Sequence, residues 1–118
     1  TLKPRKGNPP QRTVETAAGM LNAIGLQNVG LESFLVDKVP YLSGLRARGI
    51  KVVVNIIGKT VAEYHEVAKG LRGCDAIDAL ELNISCPNIK EGGIAFGTAP
   101  CAAAEVTAVL ATGWWTSC

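Results

Sequence analysis

One short run holds the residues best suited to chemistry: Asn83-Ile84-Ser85-Cys86-Pro87-Asn88, at the end of an apolar, strand-like segment. Val52-Val53-Val54-Asn55 ends a second such segment on an amide, and Asn22-Ala23-Ile24-Gly25-Leu26 marks a third. Each delivers an asparagine to a turn, and one adds a thiol. In a barrel of parallel strands the C-terminal strand ends carry the reacting groups. Asparagine offers a donor and an acceptor without charge. A thiol titrates near pH ~8.5, close enough to neutrality for a positioned general base. Together they suit a planar, hydrogen-bonding small molecule and a proton transfer. Each feature also has a plain reading. A cysteine after a strand is most often a small buried hydrophobe. Asn22 and Asn55 alone read as turn caps, and Gly25 and Gly58 as tight turns.

The elements that must position these residues follow from the pattern. Thr1 to Arg12 reads as loop, because Asn8-Pro9-Pro10 removes two donors and favours extended backbone. Gly19 to Leu26 reads as a short strand and turn, with a second turn at Asn28 and Gly30. Leu31, Phe34, Leu35, Leu42 and Leu45 recur at helical spacing, and Pro40 splits that stretch into two expected pieces, capped by Gly49. Ile50 to Ile57 is a nearly continuous apolar run, the pattern of a parallel strand buried on both faces. Thr60-Val61-Ala62-Glu63 is a capping box, and Val61, Tyr64, Ala68 and Leu71 continue a helix that Gly70 and Gly73 close. Ile77 to Ile84 is the next strand, Ser85 to Pro100 a long loop, and Pro100 to Leu110 an Ala-rich helix. Thr112 to Cys118 fits no element.

Alternating strands and helices imply a parallel α/β architecture. About three βα units are expected, whereas a closed barrel needs eight. The chain therefore reads as a piece of a larger protein, and it lacks an initiating Met. Its 118 residues, 47% hydrophobic and 19% charged, indicate one small globular unit. A net charge of +2 is too weak to argue for nucleic acid. Lys3, Arg5, Lys6 and Arg12 read as a solvated basic loop. No run of about 18 apolar residues suggests a membrane span. No signal peptide is visible. Cys74, Cys86, Cys101 and Cys118 form no C-x-x-C pair, and the single His65 is near none of them, so no metal site is expected. They read as free thiols in a reducing cytoplasm. His65 is assigned no role.

Four motifs in order resemble the dihydroorotate dehydrogenases: Gly7-Asn8-Pro9-Pro10-Gln11-Arg12, Asn22-Ala23-Ile24-Gly25-Leu26-Gln27-Asn28, Val54-Asn55-Ile56, and Glu81-Leu82-Asn83-Ile84-Ser85-Cys86-Pro87-Asn88. Lys90-Glu91-Gly92-Gly93-Ile94-Ala95-Phe96-Gly97-Thr98 is similar to the NAD-linked subclass that works with an iron–sulfur flavoprotein subunit. The resemblance covers residues 1–111, as a partial FMN-binding barrel domain, and leaves 112–118 unassigned. It implies a fragment of a (β/α)8 TIM barrel that oxidises dihydroorotate to orotate, with FMN at the C-terminal strand ends. It implies Cys86 as the catalytic base, where the membrane-associated, quinone-linked branch carries serine. It implies substrate contacts from Asn22, Ala23, Ile24, Gly25, Leu26, Asn83 and Asn88, and FMN contacts from Asn55 and Asn83. It further implies a cytoplasmic homodimer, with FAD and a [2Fe–2S] cluster on an electron-transfer partner subunit.

The chain departs from that family in several places. The family's first barrel strand, the lysine it places just before the segment that starts here at Thr1, a second flavin-contacting lysine and the glycine-rich phosphate site are not among these residues. Ala99-Pro100-Cys101 stands where Asp-Pro-Glu is common, and the match dissolves from Gly113. A truncated or frameshifted reading accounts for this, and predicts that these residues alone bind FMN weakly. The alternatives are an inactive remnant, or a related dihydropyrimidine dehydrogenase-like flavoenzyme. Those enzymes commonly show His where Asn88 stands.

Overall fold

The structure, a computed structural model, describes residues 1–86 and 93–114. Two small sheets and a set of helices form a mixed α/β unit. Strands β1 (Thr13–Thr16) and β2 (Gly19–Asn22) pair antiparallel across a two-residue turn, with Val14 opposite Leu21. All eight residues are exposed. This corrects the reading of Gly19 to Leu26 as the opening strand of a parallel alternation. β2 pairs with its own neighbour instead, because β-branched Thr13, Val14 and Thr16 supply a strand only a turn away.

Residues 30–47 are helical without a break: α1 (Gly30–Ser33), a π-helical turn (Phe34–Lys38) and α2 (Val39–Ala47). Pro40 was expected to split this stretch. The wider turn just before it explains why it does not, for the Val39 N–H reaches back to Phe34 O and the ring enters at the start of α2. Gly49 ends α2 at φ 81°, donating to Arg46 O while Ile50 donates to Leu45 O, the paired bonds of a Schellman cap.

β3 (Val53–Ile56) and β4 (Ala79–Leu82) pair parallel, Val54 opposite Leu80 and Ile56 opposite Leu82. The α3 helix (Val61–Leu71) connects them. Its start is fixed reciprocally: Thr60 Oγ1 accepts the Glu63 N–H, and the Glu63 carboxylate accepts the Lys59 N–H at 2.7 Å. Gly70 lies inside α3, where a Cβ would meet Leu31 Cδ2 at 2.5 Å, so α1 seats directly on it. α4 (Ile94–Gly97) is a short helix within the stretch expected to be loop, and α5 (Pro100–Trp114) runs past the point where a tail was expected.

The core gathers Ile56, Ile57, Tyr64, Val67, Ala68, Leu71, Ile77, Val106 and Leu110, with α5 laid against α3. One face of β3 is therefore covered. The other is not: Val53 is 58% exposed and Asn55 is exposed, as expected where so small a sheet carries a run patterned for burial on both faces. An apolar run shows that a strand is buried somewhere, and the helices of this chain supply cover on one side alone. The expected three parallel strands are likewise two, with a separate hairpin. Among the described residues, no helix is long and apolar enough to cross a membrane.

Candidate active site at the ends of the parallel strands

The β3–β4 register sets the geometry. Asn55 stands opposite Glu81, and the Asn83 N–H donates to Ile56 O at 2.9 Å, extending the ladder one rung past β4. Side chains alternate along a strand, so Asn55 and Asn83 share the face turned away from the core residue Ile56. Asn83 Nδ2 donates to Asn55 Oδ1 at 3.4 Å, a long bond. Asn83 Oδ1 is buried and accepts from no described residue. A neutral amide pair with an open, buried acceptor is a place for a ligand N–H or hydroxyl.

Cys86 follows three residues on. It is half-buried, packs against the core and is not in a disulfide; Cys74 and Cys101 are free too. The Cys86 carbonyl accepts the Ile94 N–H at 3.1 Å, which brings α4 back over the strand end. Gly97 completes this return, since any Cβ there would run into the Ile84 carbonyl. Asn88 lies outside the described residues, as do Pro87 and residues 89–92.

Residues Asn22 to Leu26 form a second cluster, tied to the N-terminal loop. Asn22 ends β2 and is exposed. Asn8 Nδ2 donates to Ala23 O at 2.8 Å, and the Asn8 N–H donates to Ile24 O at 2.9 Å. Gly25, at φ 73°, lets the Asn8 side chain close in at 3.2 Å from where a Cβ would stand. Arg12 donates to Lys6 O, to Asn8 O and, at 2.6 Å, to Gln27 Oε1. A polar pocket of about 350 Å³ opens between Arg5–Asn8 and Gly25–Leu26. Asn55 and Asn83 are thus brought together, with Cys86 beside them in the chain. Asn22 to Leu26 meet Asn8 and Arg12, a cluster separate from the Asn55–Asn83 pair.

Two residues escaped sequence reasoning. Asn8 stands in a loop and in the first family motif, with no role given by either, yet it holds the Ala23–Gly25 turn. Tyr64 was read as a core position at helical spacing. It is fully buried, but its hydroxyl donates to Asn83 O at 2.6 Å. Its signal was a phenol, with its polar tip, on the apolar face of a capped helix. Burial pushes the Tyr64 phenol above its usual range; a Gly58 backbone hydrogen bond pulls the other way, and nearby Cys86 adds to the rise.

The chain resembles known proteins over nearly all of its length. The family described as Dihydroorotate dehydrogenase matches residues 1–113. Proteins named dihydroorotate dehydrogenase B (NAD(+)), catalytic subunit, are 53% identical over 110 residues in Citrifermentans bemidjiense and 54% identical over 108 residues in Pelobacter propionicus. The one in Bacillus caldolyticus is 52% identical over 110 residues. These alignments cover 93%, 92% and 93% of this chain and 35%, 34% and 34% of those relatives. The chain therefore spans about a third of the length of the relatives it matches. With a family match over 113 of 118 residues, the chain belongs to the dihydroorotate dehydrogenase family.

Proposed function

We propose that the protein carrying these residues oxidises (S)-dihydroorotate to orotate in pyrimidine biosynthesis, on a (β/α)8 barrel of which residues 1–111 are a part. The observation that carries the reading is the β4 end. A half-buried free thiol follows an amide pair whose buried oxygen lacks a donor. Cys86 takes the proton from C5 of the substrate. Asn55 and Asn83 would hold FMN, which would supply the acceptor for the hydride from C6. Asn55 and Asn83 fit such a cofactor, because a flavin ring presents amide groups and Asn83 Oδ1 is an open acceptor for one. These side chains orient the ring by hydrogen bonds and place no charge beside it. Asn22 to Leu26, Asn83 and Asn88 read the ring amides and carboxylate of the substrate. α4, tied to Cys86 O through Ile94, closes one side of the site against water.

The relatives' names describe a catalytic subunit linked to NAD(+). The motif resemblance extends this reading to a cytoplasmic homodimer that passes electrons to a partner subunit holding FAD and a [2Fe–2S] cluster. A second reading has its own observation. A two-stranded parallel sheet leaves Val53 58% exposed, so these 118 residues alone hold FMN weakly and act as a non-enzymatic piece. One experiment addresses both: mix the purified chain with FMN anaerobically, then add dihydroorotate and follow the flavin absorbance. Bleaching that is lost in Cys86→Ala supports the enzyme reading for this chain. Absence of bound flavin supports the second. Bleaching that persists in Cys86→Ala removes Cys86 from the mechanism.

A further inference from the structure

We propose that Tyr64 is a positioning residue that fixes the strand end bearing Asn83 and Cys86. The proposal rests on the reading of Cys86 as the base. β3 ends at Ile56, and the last rung of the ladder is the Asn83 N–H to Ile56 O bond. Beyond it the Asn83 carbonyl has no strand to pair with. A buried carbonyl without a donor is costly. Tyr64 OH supplies the donor at 2.6 Å, reaching across from α3. The two peptide units that flank the Asn83 Cα are thereby both held: its N–H by β3, its C=O by α3.

The same ring also steadies the far side of the turn. Tyr64 meets Phe96 of α4 edge to face, centroids 5.8 Å apart and planes at 88°. That geometry is favourable for two aromatic rings. α4 is in turn bonded to Cys86 O through the Ile94 N–H. One side chain, 0% exposed, therefore touches both segments that flank Cys86. Neither contact needs substrate or cofactor. Tyr64 acts through the backbone it holds, and the hydroxyl is the part that matters beyond packing.

Tyr64→Phe removes that hydroxyl and keeps the ring. The readout is the rate of iodoacetamide capture at individual cysteines, followed by peptide mass spectrometry on the intact protein. Cys74 is an internal reference, since it too is half-buried against the core. Losing a hydrogen bond worth about 1 kcal/mol opens the strand end about fivefold more often. The expected result is Cys86 captured about fivefold faster with Cys74 unchanged. Both rates unchanged would overturn the proposal. If both rise together, the variant has loosened the whole core, and Phe96→Leu then decides. A selective rise at Cys86 in that variant supports the positioning role, and any other result overturns it. The same samples are tested for flavin reduction by dihydroorotate per bound flavin, expected to fall in Tyr64→Phe with little change in KM. No reduction by the native protein would count against the proposed function, while the capture rates still decide the role of Tyr64.

Discussion

Replacing Asn83 by aspartate exchanges one amide nitrogen for oxygen at nearly constant size, and probes the open acceptor directly. In the native protein Asn83 Nδ2 donates to Asn55 Oδ1 at 3.4 Å, and Asn83 Oδ1 is buried without a donor. The introduced carboxylate places one oxygen against Asn55. That residue is exposed, and its amide can turn to present its nitrogen. The other oxygen stays buried and now carries charge. Its desolvation disfavours the ionised form and raises the folded-state pKa above the unfolded value of about 3.9. Leaving such a group unmatched costs about 1–2 kcal/mol at pH 7, or roughly 5–10 °C in Tm for a chain of this size. The sign with pH follows. Between the two pKa values the folded state binds more protons, so the variant loses stability as pH rises. Thermal melts of both proteins from pH 4 to 8 should show a small gap at the acid end that widens and then levels off. A constant gap, or one that widens toward acid, would refute the buried, donor-free oxygen.

The remaining predictions concern the frame around that site. Asp78 accepts the Val52 N–H at 2.9 Å, Lys51 at 3.1 Å and Arg46 at 3.3 Å, and these hold its carboxyl at about 2, below the usual 3.8. Its folded pKa is depressed, so its contribution is full above about pH 4 and fades toward pH 2; Asp78→Asn should lower Tm at pH 7, with the gap narrowing in acid melts. Gly44→Ala should raise stability by about 0.5–1 kcal/mol in urea unfolding, because it sits inside α2 with nothing near a new Cβ. Gly97→Ala should instead destabilise and speed alkylation of Cys86, because the new methyl meets the Ile84 carbonyl. Leu71→Ala, at a residue 1% exposed, should cost about 2–5 kcal/mol in the same unfolding assay.

Local chemistry was legible in the sequence wherever neighbouring residues decide it. Thr60 and Glu63 cap α3 because the spacing alone brings hydroxyl and carboxylate to free N–H groups. Gly49 closes α2 because only glycine takes that left-handed backbone cheaply. The amides near the strand ends, Asn55 and Asn83, were legible because each interrupts an apolar run. What depends on distant partners was not. β1 was missed because Thr-Val-Glu-Thr is short and polar, and its strand character appears only once β2 lies beside it. Pro40 was read as a break because sequence shows the missing donor but not the π-helical turn that absorbs it. The polar work of Tyr64 was hidden because its acceptor is a main-chain carbonyl 19 residues away.

The open face of β3 bears on function. Val52, Val54 and Ile56 turn toward the helices, and Val53 and Asn55 turn away. By the same alternation Asn83 joins Asn55 on the uncovered face. The sheet therefore divides by parity: one set of side chains builds the core, and the other places amides at the strand ends. A run of Val and Ile reads as apolar on both faces because only one set ends on a polar residue, Asn55. Polar groups on the open face gain nothing from packing to hold them still. Their precision must come through the backbone, from the covered side, which is where the Tyr64 hydroxyl reaches the Asn83 carbonyl. A site arranged this way keeps its side chains free for a ligand and its main chain fixed before one arrives.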